Sequence, residues 1–354
     1  MAVPDSKPLI TTIIPTYRRP RLLRRAIKSV LAQTYPHFQV CVYDNASGDE
    51  TGTVVRTLAK ADPRVKYHCH PENIGMFKNF VYGMERVETP FFSLLSDDDV
   101  LLPEMYQVLL AGIENFPEGM ISAAPTIQVD DQDRVVGAPL SSWRAGLHTP
   151  PEGMLSMLQH GQPPLWTGML FRREVLEEVG NLDEKAGDPS DLDFQLRIAA
   201  RFPIVVSLKP VAIFVIHPGC YWLSATLDEH YARWLRFIRK VAGDEAIPYP
   251  TRRRAAELLD RWFKTLLLRD AASFIVRSQW EKADKAIDIL QNHYHLTLRS
   301  SLLSVLAKTC RTVPPMHVLL KGVRLLKRFV LSLVRDPGKQ FQSRYGAYVR
   351  YLKL

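Results

Sequence analysis

The sequence contains no run of about eighteen uncharged apolar residues and no basic-then-apolar N-terminal layout. Neither a membrane-spanning helix nor a secretory leader is therefore expected, and the chain should stay in the cytoplasm. Cysteine is scarce. Cys41, Cys69, Cys220 and Cys310 are scattered, without the close pairs of a zinc site or a disulfide framework, and are expected to be buried free thiols. Acidic residues almost vanish at the end of the chain, where 12 Lys and Arg stand against Asp336 alone from residue 289 onward. Sequence signatures of nucleic-acid recognition are also missing, so that tail is not expected to bind nucleic acid.

The 354 residues are 46% hydrophobic and 23% charged, which is ordinary globular usage and excludes a disordered or fibrous chain. The length suits two domains. The net charge of +9 conceals an asymmetry: residues 225–354 hold 25 Lys and Arg against 11 Asp and Glu, whereas residues 1–224 are net acidic. The later region reads as helices around Asp228 to Val241, Arg252 to Val276, Trp280 to Asn292, Leu296 to Thr309 and Met316 to Leu333. In the last of these, Leu319, Val323, Leu326, Val330 and Leu333 alternate with Lys321, Arg324, Lys327 and Arg328. That pattern suits an anionic membrane surface, and equally a helix packed on its own domain.

In the first 224 residues, strands and helices alternate, which predicts an α/β fold with a mostly parallel sheet. A β-branched run over residues 9–15 should end at Pro15, which has no N–H for a ladder. A helix with an apolar face of Leu22, Leu23, Ala26, Ile27, Val30 and Leu31 follows. Strands are then expected over 38–43, 65–70, 91–95, 119–129, 165–171, 204–208 and 211–216, with a loop and a short helix over 137–164.

The chemistry gathers where Phe91-Phe92-Ser93-Leu94-Leu95 runs into Ser96-Asp97-Asp98-Asp99. Three adjacent carboxylates repel one another unless a cation sits among them, and hard oxygen ligands at a strand end suit Mg²⁺ or Mn²⁺. Capping of the helix that starts near Pro103 is the plainer alternative. Tyr17, Asp44 and Asn73-Ile74-Gly75 lie at other strand ends, where open α/β sheets bind ligands, and would converge on the same crevice. A nucleotide would suit it, with Tyr17 covering a base, Asp44 accepting an imide N–H and Gly75 admitting close backbone approach; taken singly, Asp44 reads equally as a turn former, Tyr17 as a half-buried ring and Gly75 as a turn glycine. His217, at a later strand end, is a candidate metal ligand beside the acids, with a structural role as the alternative. Asp191 lies in Ser190-Asp191-Leu192-Asp193, which resembles a capping box at a helix start. The helix dipole there would lower the pKa of Asp191 and keep it ionised, ready to act as a base.

Taken in order, Ile14-Pro15-Thr16-Tyr17, Asp44-Asn45-Ala46-Ser47, Asn73-Ile74-Gly75 and Leu95-Ser96-Asp97-Asp98-Asp99 resemble the family 2 glycosyltransferases of the GT-A fold. The later stretches Phe171 to Leu176, Gly180 to Glu184 and Ser190 to Asp193 are similar to that family's acceptor-side segment, so the likeness covers roughly residues 8–220. The resemblance implies a Rossmann-like GT-A domain over 1–224, followed by a basic helical region over 225–354. It implies inverting transfer of a sugar from a UDP-, GDP- or dTDP-linked donor to a hydroxyl of a glycan or lipid-linked acceptor. Pro15, Thr16, Tyr17, Asp44, Asn73, Gly75, Asn79, Asp97 and Asp98 would hold the donor. Asp97 and Asp99, with His217, would hold Mg²⁺ or Mn²⁺; Asp191 would be the base; Trp166, Thr167 and Gly168 would face the acceptor. Polysaccharide biosynthesis at the inner face of the membrane is the implied setting.

Two departures from the family pattern stand out. Ser190 precedes Asp191 where the family often has Glu, and the Gln-x-x-Arg-Trp motif of processive synthases is absent, which favours single-sugar transfer. A nucleotidyltransferase that forms sugar nucleotides is a second reading, although Pro15 to Pro20 lacks the glycine-rich loop of that class. A non-catalytic protein that binds membrane surfaces through its basic tail is a third.

Overall fold

Strand β1 (Ile10–Thr16) is buried along its whole length, in a computed structural model that describes residues 8–141, 143–159, 163–187, 189–217, 227–295, 297–313 and 337–353. Ile10, Ile13 and Ile14 carry no exposed surface, each worth about 1.5–3 kcal/mol of burial. The threonines between them are satisfied, Thr11 by Thr89 and Thr12 by Ser93 and Tyr106. The strand does not stop at Pro15, as its missing N–H suggested, but runs on to Thr16. In a parallel strand a residue's N–H and C=O point to the same neighbour. The Ile13 carbonyl accepts from Leu95, so Pro15 faces the same side, beyond the end of the adjoining strand β4 (Phe91–Leu94), where no ladder bond is lost.

Helix α1 (Pro20–Leu31) buries Leu23, Ala26, Ile27 and Val30 and starts with proline in its first turn, where the missing N–H is harmless. It leads to β2 (Phe38–Asp44), α2 (Thr51–Ala61), β3 (Val65–Cys69), α3 (Met76–Met84) and β4. Parallel pairing in the order β3-β2-β1-β4 sets Thr16 beside Asp44 and Ile13 beside Leu94. The loops after all four strands therefore leave from one edge of the sheet.

Further along come β5 (Val100–Leu101), α4 (Met105–Asn115), β6 (Ile121–Ala123), β7 (Thr126–Asp130), β8 (Val135–Gly137), β9 (Gly146–His148) and α5 (Glu152–Gln159). Then follow β10 (Met169–Arg172), α6 (Val175–Glu178), α7 (Ser190–Ala199), β11 (Ile204–Val206) and β12 (Ala212–Ile216). The eight-stranded sheet runs β3-β2-β1-β4-β10-β6-β11-β9, with antiparallel pairs at β10 and β9.

A second sheet, β5-β12-β7-β8, was not foreseen. The strand expected over 119–129 is divided at Ala124-Pro125: β6 stays in the large sheet and β7 enters the small one. The loop expected over 137–164 contains the edge strand β9 as well as α5. The strand expected at Leu165 begins with a 3-10 turn, Trp166–Gly168, before β10. Of the thiols expected to be buried, Cys310 is buried, Cys41 is half-buried and Cys69, at the end of the edge strand β3, is exposed. Cys220 lies outside the described residues.

The chain divides into two compact units. The first comprises Met1–Glu184, Ser190–Pro218 and Phe341–Leu354; the second comprises Lys185–Pro189 and Gly219–Gln340. In the first, Tyr345 and Leu352 pack with Val100, Leu102, Ile127, Val129 and Ile213 over the small sheet, and the Gln342 side chain accepts the Val135 N–H at 2.8 Å. The second contains α8 (Leu227–Gly243), α9 (Tyr249–Val276), α10 (Trp280–Asp288) and α11 (Thr297–Thr312). Its core stacks Phe263 on Trp234 and Tyr231. Helix α12 (Pro337–Tyr345) and a 3-10 turn over Gly346–Lys353 end the chain. The helix expected over Met316 to Leu333 lies outside the described residues.

Candidate functional site

Asp97, Asp98 and Asp99 follow β4 and are all buried, and their partners come from three other parts of the chain. The Thr16 hydroxyl, at the end of β1, donates to Asp97 Oδ2 at 2.7 Å. Arg19, just before α1, places one guanidinium nitrogen 3.2 Å from Asp97 Oδ1 and 2.8 Å from Asp98 Oδ2. His217 Nε2 lies 2.9 Å from that same Asp98 oxygen. The small sheet accounts for His217: pairing Ala212 with Leu101 and Ile213 with Val100 brings the end of β12 back over the acids. Burial and the neighbouring Asp98 push Asp97 up to about 6, against the lowering pull of Thr16 and Arg19.

Asp99 has a different environment. Thr167 donates its hydroxyl to Asp99 Oδ2 at 2.7 Å and the Val215 N–H donates to Oδ1 at 3.0 Å. Its side chain is sealed from solvent, and burial, with Asp98 alongside, raises its pKa well above the carboxylate range. Thr167, expected on the acceptor side, is itself fully buried beneath Asp99. Gly168 has no room for a side chain, because a Cβ there would come within 2.7 Å of the Ala124 carbonyl. The half-buried Trp166 packs its ring on Phe80 at 4.5 Å.

The loops after β2 and β3 form a hydrogen-bonded group of their own. Asp44 accepts the Ser47 N–H at 2.9 Å and the Tyr67 hydroxyl at 2.7 Å. Asn45 donates to Asn73 Oδ1 at 2.9 Å and accepts from Ile74, and Asn73 accepts from the Gly75 N–H. Gly75 adopts φ +86°, which an L side chain rarely tolerates. The Arg18 N–H donates to the Ser47 hydroxyl and its guanidinium lies 5.0 Å from the Tyr17 ring centroid. Tyr17 is 39% exposed, so a ring face is open for stacking. Asn79 is buried and fastens α3 to β2, its amide donating to the Tyr43 carbonyl at 2.8 Å and its oxygen meeting His70 Nε2 at 2.9 Å.

Asp191 stands apart. Its carboxylate accepts the Leu192 N–H at 2.7 Å, and among the described residues no hydrogen bond or ion pair joins it to the acid cluster. The helix dipole does not win: burial raises its pKa, and only main-chain N–H groups oppose the rise. Asp193 pairs with Arg197 one turn along at 2.9 Å, and Ser190 is already helical, so this start is held by an ion pair as well as by local caps.

A divalent ion suits Asp98 and His217, where an oxygen and a nitrogen from separate elements meet, with Asp97 adjacent. It does not suit Asp99, which is sealed from solvent with its oxygens held by Thr167 and Val215. Among the described residues no three His, Cys, Asp or Glu side chains form an ion cage. A site with so few protein ligands is what Mg²⁺ or Mn²⁺ uses when substrate phosphates complete the shell. Arg19, Ser47, Tyr67 and Val215 were not anticipated. A cation for the acids was demanded by their repulsion; nothing local indicated that an arginine just after β1 provides it.

Comparison with known proteins fits this geometry. The profile of the family described as "Glycosyl transferase family 2" matches residues 11–180, a stretch that includes the acids but not Asp191 or His217. An uncharacterised glycosyltransferase of Rickettsia prowazekii is 38% identical over 246 residues, which is 68% of this chain and 74% of that protein. Three further curated relatives are matched over 65%, 35% and 20% of their own lengths. The crystal structure of S. aureus TarS residues 1–349 in complex with UDP-GlcNAc aligns with TM-score 0.62 and 17% identity, covering 86% of this chain and 91% of that one. A mannosyltransferase from Pyrobaculum calidifontis in complex with GDP-Man and Mn²⁺ aligns with TM-score 0.53 and 16% identity, covering 91% and 88%.

Proposed function

Because the chain belongs to glycosyl transferase family 2, we propose that it transfers one sugar, with inversion, from a nucleoside-diphosphate donor to an acceptor hydroxyl. The observation that carries this reading is the convergence of Thr16, Arg19, Asp97, Asp98 and His217 at the end of β1, β4 and β12. The nucleoside lies over Tyr17 and against Asp44, with the Asn73 to Gly75 loop beside it. Asp98 and His217 hold Mg²⁺ or Mn²⁺, in place of the earlier assignment to Asp97 and Asp99. When bound, the ion neutralises charge that develops on the departing diphosphate.

Asp191 takes the proton of the acceptor hydroxyl. A raised pKa suits that task, since a base is most effective when its pKa approaches the working pH. Attack on the face opposite the departing diphosphate gives inversion. Trp166 remains the candidate acceptor contact, whereas Thr167 acts from below through Asp99. The acceptor class, a glycan or a lipid-linked glycan, is supported by the basic composition of residues 289–354, which favours an anionic membrane surface. No helix of the described residues is long and apolar enough to cross a membrane.

The test is a panel of UDP-, GDP- and dTDP-sugars assayed for thermal stabilisation and turnover with Mn²⁺, Mg²⁺ or chelator. One donor should stabilise the protein only with metal and release a nucleoside diphosphate. Release of pyrophosphate would instead indicate nucleotidyl transfer, and full turnover in chelator would remove the metal.

A further inference from the structure

We propose that Arg19 is a resident counter-ion: it neutralises the acid pair while the site is empty and passes to the donor diphosphate when a divalent cation arrives. This rests on the metal and donor reading above and gives Arg19 a role in it.

Asp97 and Asp98 keep only 8% and 11% of their side-chain surface exposed. Two carboxylates so placed need a cation close by, and the Arg19 guanidinium bridges them. Arg19 is itself 34% exposed, and it sits on the last residue before the rigid helix α1, so its long side chain has both a pivot and solvent to move through. Arg25 contrasts with it. That guanidinium donates to the Asp98 main-chain carbonyl at 2.6 Å, and its charge reaches the Asp99 and Asp98 carboxylates through space.

The conflict lies at one atom. Asp98 Oδ2 meets Arg19 at 2.8 Å and His217 at 2.9 Å. A dication bound through that oxygen and that imidazole would face a guanidinium of like sign at bonding distance, so the two cations exclude each other. The mobile one leaves. A planar guanidinium released beside a diphosphate has a ligand whose oxygens match its paired N–H groups. The diphosphate thus removes the arginine that keeps the metal out, and metal and nucleotide each strengthen binding of the other, as reciprocity requires.

The experiment is titration of the full chain with Mn²⁺, followed by electron paramagnetic resonance of the free ion, alone and with UDP or GDP, for wild type, Arg19→Gln and Arg19→Lys. Wild type should bind Mn²⁺ weakly alone and far more tightly with nucleotide. Arg19→Gln should bind Mn²⁺ alone about tenfold more tightly than wild type and lose about tenfold of the coupling to nucleotide. Arg19→Lys should fall between, because one ammonium cannot span both carboxylates; should the glutamine variant not fold, a lysine variant with wild-type Mn²⁺ affinity overturns the proposal. Unchanged or weaker Mn²⁺ binding by Arg19→Gln, with wild type binding normally, overturns the role of Arg19 alone. Absence of Mn²⁺ binding by every protein, even with nucleotide, overturns the metal reading and the proposal with it.

Discussion

Asp97 and Asp191 are both carboxylates whose pKa burial raises, yet they are held in opposite ways. Asp97 has a hydroxyl from Thr16 and a guanidinium from Arg19, and it shares that cation with Asp98. Among the described residues Asp191 is held by main-chain N–H groups. A carboxylate with a cation beside it is built to keep negative charge and to exchange one cation for another. A carboxylate without one is less averse to receiving a proton. Neighbouring charge, more than burial, separates these two carboxylates.

The strongest test of that contrast is Asp191→Asn, which should lower turnover by about 10²- to 10⁴-fold while nucleotide binding in a calorimeter stays as in wild type. Near-normal turnover would end its role as base. For wild type, turnover should fall as pH drops through the pKa of Asp191, because the base is lost on protonation; burial places that pKa above that of an ordinary carboxylate.

Next in size is the contrast within the acid run. Asp98→Asn should weaken Mn²⁺ binding in the presence of nucleotide by at least about tenfold to a hundredfold, on the scale of altered metal-site partners. Asp99→Asn should act mainly on stability, because it places an amide where Thr167 and Val215 need acceptors. If Asp99→Asn lost metal at unchanged stability, the two acids would have been assigned the wrong way round.

Thr167→Val leaves Asp99 one donor short and should cost about 1–3 kcal/mol, read as a melting temperature lower by several degrees. The smallest effect is the pH dependence of stability. Burial raises Asp97 to about 6 when folded, against an ordinary 3.8, so the folded state binds more protons between those values. The stability it contributes is complete below about 4 and is lost as pH rises to about 6. The melting temperature of wild type relative to Asp97→Asn should therefore fall across that window and level off above it, and added Mn²⁺ with nucleotide should reverse the loss.

Much of this was legible along the chain. The β-branched run of β1, the apolar face of α1 and the Asp-Asn-Ala-Ser turn each carry a local signal, and together they indicated the parallel half of the sheet and its ligand edge. Pro125 was as visible as Pro15, but its effect depends on which strand lies alongside: Pro15 is tolerated past the end of β4, whereas the chain changes sheet at Ala124-Pro125. The small sheet was signalled only in part: β7 and β12 overlap strands expected over 119–129 and 211–216, but nothing indicated that they leave the large sheet. Its strands β5 and β8 span only Val100–Leu101 and Val135–Gly137, too short to show a period.

By itself the sequence determined that three acids would stand at a strand end and that a cation would be required, because like charges repel wherever the chain puts them. Only the tertiary structure decided which acid faces which partner. Pairing of β12 with β5 brings Val215 to Asp99 and His217 to Asp98, while the end of β1 brings Thr16 and Arg19. Three adjacent side chains of one kind thereby acquire three environments, since the charge a buried carboxylate keeps depends on the atoms a few ångströms away, and those come from residues 68 to 119 positions distant.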